Sequence, residues 1–345
     1  MRWDNLRDGD RAGQPPALFE QGAVARTFDT PGFRGMTFFE VHARSLINRV
    51  PDASRVPFRW TINPYRGCSH ACRYCFARNT HTYLDLDAGQ DFNSKIVVKV
   101  NAPDLVRKEL AAPKWRAEHI AMGTNVDCYQ RAEGRYRLMP PILAALRDAA
   151  NPFSILTKGT LILRDTDLLA EAADVTEVGL AVSVGSADED LWRAVEPGTP
   201  SPLRRLEVCA AFTDRGLGCG VLMGPVIPFL SDSPEQLAAT VRQIADAGAD
   251  YVTPIVLHLR PGAREWFLAW LREHHPGLVG RYQALYGRRA YAPRAYQQQV
   301  AGQVQELARR YGIGRGRARH RGGLRRPHPP PGPPPPPQQV QLSLL

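Results

Sequence analysis

The sequence lacks any apolar run long enough to cross a bilayer, which takes about 18 residues. Residues 1–13 also lack the apolar region of a secretory signal peptide. Together these absences predict a cytoplasmic protein with no membrane partner. The chain has 345 residues, 43% of them hydrophobic, and is long enough to bury a sizeable core in one large domain or two smaller ones.

Cysteine is scarce, with six residues in the chain, and a disulfide framework is not expected because the chain is long and shows no secretory signal. Three of the six, Cys128, Cys209 and Cys219, are scattered. They form no compact motif, so only one inorganic centre is predicted. The other three stand close together, with the spacing C-x3-C-x2-C, between residues 68 and 75.

Acidic residues are missing from the end of the chain, because no Asp or Glu follows Glu306. Eight arginines lie beyond Glu306, and subtracting them from the net charge of +10 leaves +2 for residues 1–308. The overall charge therefore says little about the folded body. It indicates an arginine-rich arm that favours polyanions such as DNA or RNA.

Residues 312–345 have a composition that cannot bury a core. Residues 312–323 are rich in Arg and Gly, and residues 327–337 are almost all proline. This segment is predicted to be disordered or polyproline II. It ends in Gln-Leu-Ser-Leu-Leu, from Gln341 to Leu345, which is similar to the short motif by which bacterial repair proteins dock on the replication sliding clamp. A chance apolar terminus is the alternative interpretation.

Cys68, Cys72 and Cys75 can hold one inorganic centre, because all three thiolates come from a single short loop. Iron–sulfur cubanes normally have four cysteine ligands. Three ligands would leave one iron open, as catalytic metal centres do. The alternative is a structural zinc knuckle with His70 or a distant cysteine as fourth ligand, but zinc sites usually come as paired motifs, and no second pair exists here.

Short apolar runs alternate with longer amphipathic segments along residues 51–311. This alternation predicts βαβ units and a parallel sheet. The predicted strands are 59–65, 119–123, 153–157, 177–184, 219–223 and 250–257. The predicted helices are 103–111, 140–149, 165–173, 202–215, 234–247 and 263–273.

The division of the chain follows from these patterns. Residues 1–50 are predicted to be an N-terminal extension, in which residues 36–50 form a strand leading into a short helix. Residues 51–311 form the core domain with further helices at its end, and residues 312–345 form the tail. In α/β barrels the active site lies at the carboxyl ends of the strands. That rule brings together at one mouth the cysteine loop, residues 124–127, Lys158, Ser183 and Pro225.

The cysteine spacing, with Tyr74 directly before the last cysteine, resembles the radical S-adenosylmethionine (radical SAM) superfamily. Residues 59–78, 123–130 and 155–160 resemble a narrower subgroup, the spore photoproduct lyase-like or "DNA repair photolyase" proteins, which include the Rv-2578c-like family. The match covers about residues 25–310. The resemblance implies an α/β fold with a partial (β/α)6 TIM-type barrel, a 4Fe–4S cluster on Cys68, Cys72 and Cys75, SAM as cosubstrate, and an external electron donor.

The resemblance also implies contacts to SAM. Tyr74 corresponds to the aromatic residue that lies near the adenine. Gly123, Thr124 and Asp127 follow the second predicted strand, where the superfamily contacts the amino group of SAM. Asp127 could supply a negative charge there, and the alternative is a helix N-cap.

Two further strand ends carry polar side chains. Lys158 could pair with the carboxylate of SAM as a compact point charge, or it could be an ordinary solvated lysine. Ser183 could hydrogen-bond the ribose, or it could be a satisfied strand-end hydroxyl. Glu196 could be a second ribose or loop contact, although a solvent-facing turn is the preferred interpretation.

Cys128 stands where the subgroup usually has proline after the aspartate. Spore photoproduct lyase uses a cysteine near this strand end as a hydrogen donor, so the resemblance offers Cys128 as a catalytic donor. The aligned position, however, lies nearer to Thr124. A buried apolar cysteine is the preferred interpretation.

The sequence therefore predicts a radical SAM enzyme that abstracts a hydrogen atom from its substrate. The resemblance, the arginine-rich arm and the clamp-like motif favour DNA carrying a pyrimidine photoproduct. The near-neutral charge of residues 1–308 favours radical modification of RNA or protein instead. A non-catalytic iron–sulfur protein that binds nucleic acid or senses redox state is the alternative from another class.

Overall fold

The computed structural model describes residues 22–52, 54 and 56–314. Residues 1–21 and the Arg- and Pro-rich segment 315–345 lie outside the described residues, as does the clamp-like motif. The strands are β1 Val24–Arg26, β2 Thr37–Val41, β3 Ile47–Arg49, β4 Trp60–Ile62, β5 Tyr65–Arg66, β6 Lys95–Lys99, β7 Ile120–Met122, β8 Phe153–Thr157, β9 Val178–Ser183, β10 Gly220–Val226 and β11 Val252–Val256.

Helices connect these strands. The α-helices are α1 Gln90–Ser94, α2 Ala102–Leu110, α3 Arg131–Tyr136, α4 Met139–Asp148, α5 Thr166–Val175, α6 Glu189–Val195, α7 Pro202–Asp214, α8 Pro234–Asp246, α9 Ala263–His274, α10 Val279–Tyr286 and α11 Arg294–Arg310. Short 3-10 helices span Pro31–Phe33, Phe76–Leu84, Thr160–Asp165 and Pro276–Leu278. No helix among the described residues is long and apolar enough to cross a membrane.

The larger sheet carries the predicted βαβ units. Its order is β3-β4-β7-β8-β9-β10-β11, and the strands from β4 to β11 are parallel. Parallel strands covered on both faces have nearly continuous apolar runs. In β9, for example, all six residues are buried. The prediction of an α/β fold with an open, barrel-type parallel sheet is confirmed, and among the described strands the sheet does not close on itself.

The helix α8, which connects two strands of this sheet, begins with a capping box. The segment before α8 has Ser233 as N-cap and Pro234 in the first turn. The Ser233 hydroxyl accepts a hydrogen bond from the Gln236 backbone amide, and the Gln236 side chain accepts one from the Ser233 amide. This capping box satisfies amides that the first turn leaves without a partner.

A second sheet contains β1 and β6, which the sequence patterns did not predict, and β2, which lies in the strand predicted within residues 36–50. Its order is β1-β2-β6-β5, with β2 and β6 parallel. Residues 22–50, which the domain prediction placed in an extension, contribute strands to both sheets.

The prediction of a short helix within residues 36–50 is wrong. Ile47–Arg49 is a strand that pairs antiparallel with Trp60–Ile62. Pairing with a strand distant in sequence decided this conformation, because the local apolar pattern of so short a segment fits either state.

Candidate active site

The cysteine loop runs from Gly67 to Cys75, between β5 and the 3-10 helix Phe76–Leu84. Cys68 and Cys72 are buried, at 6% and 7% exposed, and Cys75 is partly exposed. The Cys68 amide donates to the Phe92 carbonyl at 2.9 Å, and the Cys75 amide donates to the Cys72 carbonyl at 3.3 Å. All six cysteines of the chain are free thiols.

Two polar side chains fix the path of this loop. The buried Arg78 guanidinium donates to the Cys72 carbonyl at 2.8 Å and to the Gly89 carbonyl at 2.8 Å. The Gln130 side chain accepts from the Ser69 amide at 2.9 Å and donates to the Gly67 carbonyl at 2.9 Å. Sequence reasoning assigned no role to Arg78 or Gln130, because nothing local distinguishes them from other polar residues.

Two glycines allow neighbouring segments to approach the loop. Gly67 has a φ of +80°, and a Cβ there would lie 2.8 Å from the His81 ring. A Cβ on Gly198 would lie 2.2 Å from the Ser69 carbonyl oxygen. The Gly198 amide donates to the His70 carbonyl at 3.1 Å, so the segment after α6 packs directly on the cysteine loop.

Lys158 lies at the end of β8 in a buried polar network. Its side chain is 13% exposed, and Nζ donates to the Ser183 hydroxyl and lies 3.5 Å from Glu196 Oε1. Burial, followed by the nearby Arg205 guanidinium, lowers the pKa of Lys158 to about 8. The alternative of an ordinary solvated lysine is therefore wrong.

Glu196 is the centre of this network. It is 5% exposed, so the preferred interpretation as a solvent-facing turn is wrong. Its carboxylate accepts hydrogen bonds from the Tyr74 hydroxyl and from Arg205, whose guanidinium is also buried. Arg205 additionally donates to the Ser183 carbonyl at 2.9 Å. Sequence reasoning missed Arg205, because it follows Arg204 on a helix and only tertiary packing distinguishes the two.

Ser183 ends β9 and has protein partners for its hydroxyl. This hydroxyl donates to the Gly224 carbonyl at 3.0 Å and accepts from Lys158. The structure thus brings Lys158 and Ser183 together, with Tyr74 reached through Glu196, as the strand-end rule predicted for one mouth.

Asp127 connects the ends of β7 and β8. Its carboxylate accepts hydrogen bonds from the Tyr129 amide at 2.9 Å, the Thr157 hydroxyl at 2.7 Å and the Lys158 amide at 2.6 Å. His70 Nδ1 lies 3.4 Å away. A carboxylate has about four acceptor positions, so the protein itself fills those of Asp127. The N-cap alternative is wrong, because Gln130 and not Asp127 occupies the N-cap position of α3.

Gly123 and Thr124 follow β7 directly. Gly123 has a φ of +74°, and a Cβ there would lie 1.8 Å from the Leu156 carbonyl oxygen. Only glycine fits this approach of β7 to β8. Thr124 is partly exposed, so its side chain is open to a ligand.

Cys128 lies in the main hydrophobic core, 1% exposed. Burial raises the pKa of its thiol well above the ordinary value, and Asp127 adds to this effect. This is the environment of a buried apolar cysteine.

A shallow depression lies beside Tyr74 and Glu196, at the ends of β9 and β10. Ser186, Trp192 and Pro225 contribute to its wall. Through Tyr74, the depression adjoins the cysteine loop.

The donor set of the cysteine loop is three free thiols, which suit an iron–sulfur cluster because each thiolate binds its own iron. Among the described residues, no three His, Cys, Asp or Glu side chains converge on one metal position. The buried Ser69 hydroxyl has no hydrogen-bond partner, so the loop contains a polar group available to a bound cluster.

Burial also acts on the ionisation of the three thiols in the cysteine loop. Burial raises the pKa of the Cys68, Cys72 and Cys75 thiols. Lys158 and Arg205 act in the opposite direction on Cys72. Thiolates are the metal-binding form, and a cationic centre offsets the unfavourable burial of their charge.

The chain is similar to a known superfamily and to several known proteins. A model of the radical SAM superfamily matches residues 62–253, more than half of the chain. An uncharacterized protein of Mycobacterium tuberculosis is 50% identical over 299 residues, which cover 87% of this chain and 88% of that protein. An uncharacterized protein of Methanocaldococcus jannaschii is 31% identical over 195 residues, 56% of this chain and 69% of its own length.

Among solved structures, spore photoproduct lyase complexed with dinucleoside spore photoproduct superposes with a TM-score of 0.59 and 16% identity, over 80% of each chain. A mutant of the same lyase with bound AdoMet and dinucleoside spore photoproduct gives a TM-score of 0.57. At this level of identity, the likeness shows a shared fold.

Proposed function

The chain belongs to the radical SAM superfamily, and we propose that it is an enzyme that holds a 4Fe–4S cluster on Cys68, Cys72 and Cys75 and binds SAM beside it. One observation carries the proposal. Three free thiols lie on one loop. This loop packs against the segments that follow β7 and β9, and it lies next to the buried network around Lys158.

When bound, the cluster supplies the electron that cleaves SAM reductively and yields a 5′-deoxyadenosyl radical for hydrogen abstraction. The chain's own residues bind and orient the cosubstrate. Lys158 provides a positive charge for the SAM carboxylate. The Ser183 hydroxyl donates to Gly224 and accepts from Lys158, which leaves one acceptor position for a ribose hydroxyl. Tyr74 offers an aromatic ring at the depression, and its hydroxyl is oriented by Glu196.

Residues after β7 shape the amino-group side of this site. Gly123 allows the close approach of the two strands, and Thr124 is partly exposed. Asp127 acts as a positioning residue, because its carboxylate is already shared between Tyr129, Thr157 and the Lys158 amide.

The proposed substrate is DNA that carries a pyrimidine photoproduct. Three observations support this choice: the fold shared with spore photoproduct lyase, the arginines after Glu306, and the clamp-like motif from Gln341 to Leu345. A fold alone does not determine a substrate, so the choice depends on the test below.

The test measures 5′-deoxyadenosine release by anaerobically reconstituted, reduced protein given SAM, with and without UV-irradiated DNA. We expect release that rises with irradiated DNA and not with undamaged DNA of the same sequence. The triple variant Cys68→Ala/Cys72→Ala/Cys75→Ala is the control and should release none.

Other outcomes point to the alternatives. Release that is indifferent to DNA would keep the enzyme class and direct the search to RNA or protein substrates. No release from protein with an intact cluster would overturn the catalytic proposal in favour of a non-catalytic iron–sulfur protein.

A further inference from the structure

Positive charge in the folded body is concentrated in one part of the sequence. Residues 251–300 contain seven arginines, two glutamates and no Asp or Lys, which is a net charge of +5. Residues 1–308 as a whole carry only +2, so the rest of the body is net negative. A polyanion approaching the body would therefore be attracted to the region formed by residues 251–300.

In this region, the exposed Arg260 lies between two exposed aromatic rings, one from Tyr291 of the same region and one from Phe76, which follows the cysteine loop. Phe76 is 43% exposed and Tyr291 is 38% exposed. The Arg260 guanidinium lies 5.6 Å from the Phe76 ring centre and 5.8 Å from the Tyr291 ring centre. Arg260 also donates to the Tyr291 hydroxyl at 2.7 Å. These three residues are called the Arg260 surface below.

Backbone and side-chain contacts hold the Tyr291 side of the Arg260 surface. His258 and Tyr291 form an antiparallel bridge, and the His258 ring packs edge-on against the Tyr291 ring at 4.5 Å. The Leu259 amide donates to the Ala290 carbonyl at 2.8 Å. The Arg264 side chain donates to the Gly287 carbonyl at 3.1 Å. Tyr291 is thus ordered before any ligand arrives, which lowers the entropy lost on binding.

The turn that carries Arg260 is fixed against the helix that follows the cysteine loop. Gly262 has a φ of +83°, and a Cβ there would lie 3.2 Å from the Asn79 side chain. Asn79 and Phe76 belong to the same 3-10 helix. Because Phe76 directly follows Cys75, the Arg260 surface begins one residue from the proposed cluster ligands.

Exposed rings next to a guanidinium suit unpaired nucleobases. An aromatic ring left in water gains nothing from core burial, but it offers a stacking platform for any base. A guanidinium has five donors, so Arg260 retains several for phosphate oxygens after its bond to Tyr291. An exposed aliphatic side chain, such as Leu203, has no ring on which a base can stack.

We propose that the Arg260 surface binds a nucleic-acid strand at the mouth of the active site, with unpaired bases stacked on Phe76 and Tyr291 and a phosphate on Arg260. The proposal rests on the proposed function in taking a nucleic acid as the substrate. It adds which residues receive the strand, and it places the strand on the β11 side of the site.

The first experiment is site-resolved cross-linking with the full chain. The probe is a short single-stranded oligothymidine that carries one 5-iododeoxyuridine, which forms photo-cross-links with stacked aromatic side chains. Mass spectrometry of the digest should locate cross-links at Phe76 or Tyr291. Cross-links confined to other residues, including residues 315–345, would overturn the proposal.

The second experiment separates stacking from charge by affinity. Binding of the oligothymidine is compared with binding of an abasic strand of equal length. We expect Phe76→Ala/Tyr291→Ala to weaken oligothymidine binding about five- to a hundredfold and to leave abasic binding unchanged. Arg260→Ala should weaken the binding of both strands. It should also reduce the slope of log affinity against log salt concentration by the amount expected for about one phosphate contact. Equal loss on both strands for the aromatic double variant, or no loss at all, would contradict the stacking role.

Matched controls guard against indirect effects. Leu203→Ala removes an exposed apolar side chain on α7, and Arg272→Ala removes an exposed charge near the far end of α9. Both should bind oligothymidine like the wild type. Iron content is measured on every variant, since Phe76 follows a proposed cluster ligand, and binding is compared only at equal iron content.

The two proposals can fail separately. If the wild type acts on irradiated DNA but the variants and cross-links show no use of the Arg260 surface, this inference is wrong and the proposed function stands. If cross-links map to Phe76 or Tyr291 while irradiated DNA gives no reaction, the surface is a nucleic-acid site and the proposed substrate is wrong.

Discussion

Lys158 and Arg205 both contact the carboxylate of Glu196, and all three side chains are largely buried. Two cations around one carboxylate leave an excess positive charge in a region of low dielectric. Such an excess is unfavourable unless an anion compensates it. Under the proposed function, these anions are the SAM carboxylate and the cysteine thiolates. The charge of the network therefore suits the protein with SAM and the cluster bound.

Lys158→Met tests this charge. The variant keeps the length and apolar part of the side chain but removes the cation, and we expect SAM affinity to fall about 10- to 100-fold, the effect of one charged hydrogen bond. Equilibrium dialysis of SAM against anaerobically reconstituted protein gives the affinity. Lys158→Arg keeps the charge and should lose less. Equal SAM affinity in Lys158→Met and the wild type would show that Lys158 does not bind the cosubstrate.

Cys128→Ala tests the hydrogen-donor role. Because Cys128 is 1% exposed in the core, we expect the variant to retain product formation and to lose about 1 kcal/mol of stability from the small cavity. Products are quantified by chromatography after single-turnover reactions. If SAM cleavage continued while repaired product disappeared, Cys128 would be the donor after all.

Lys99 gives a pH-dependent stability. Its amino group donates to the Asn63 carbonyl at 2.7 Å, and burial lowers the pKa of Lys99 to about 8. The unfolded chain holds this proton up to about pH 10.4, so the stability contributed by this site rises with pH between about 8 and 10.4. Lys99→Met should lack that rise, which we expect to be about 1–2 kcal/mol because the side chain is partly exposed.

Urea unfolding of both proteins at pH 7 and pH 9.5 measures this difference. The wild type should gain free energy of unfolding relative to the variant on going to pH 9.5. A constant difference between the two proteins would show that Lys99 has an ordinary pKa.

At the scale of elements, the cysteine loop depends on the segment between α6 and α7. This segment carries Glu196 into the polar network and places Gly198 against the loop backbone. The Arg73 amide also donates to the Val195 carbonyl at 2.9 Å, so the loop and the end of α6 are bonded at two points. These contacts therefore couple the cysteine loop to the proposed cosubstrate site.

Gly198→Ala should disturb both the cysteine loop and the proposed cosubstrate site. A Cβ at 2.2 Å from the Ser69 carbonyl forces one segment to move, which costs about 1–3 kcal/mol. We expect lower iron content after reconstitution and weaker SAM binding. The matched control is Gly280→Ala, where a Cβ meets nothing within 4 Å and helix α10 continues. This control should be neutral or stabilised by up to about 1 kcal/mol. Normal iron content in Gly198→Ala would contradict the coupling.

At the scale of the whole molecule, positive charge occupies two places. One is the part of the body formed by residues 251–300, and the other is the arginine-rich segment after Glu306. Two basic regions linked in one chain raise the effective concentration of a polyanion at the second once the first is bound. The proline-rich residues 327–337 then separate the last five residues from the arginines.

Deletion of residues 341–345 tests the clamp motif. We expect the deletion to abolish retention of the protein on immobilised sliding clamp, because two or three apolar side chains at a chain end would supply the contact. Exchanging Leu342 and Leu344 for Ala is the milder variant and should have the same effect. Retention of both variants at the wild-type level would leave the motif as a chance apolar terminus.

Local patterns fixed a large part of the fold. All six predicted strands of the parallel sheet are present, and the strand at Phe153–Thr157 has the predicted bounds. Buried parallel strands and amphipathic helices differ in apolar periodicity, and this property is local to each segment. The cysteine spacing is local as well, so the candidate cluster ligands were evident from the sequence.

Only the tertiary structure decided the second sheet, the strand at Ile47–Arg49, the burial of Glu196 and the roles of Arg205, Gln130 and Asp127. Each depends on partners far away in sequence, such as Gln130 on Ser69 or Asp127 on Thr157. A side chain's own neighbours do not reveal whether a distant segment will bury it and complete its hydrogen bonds. The sequence therefore determined which residues could hold a cluster, and long-range packing determined which polar groups surround it.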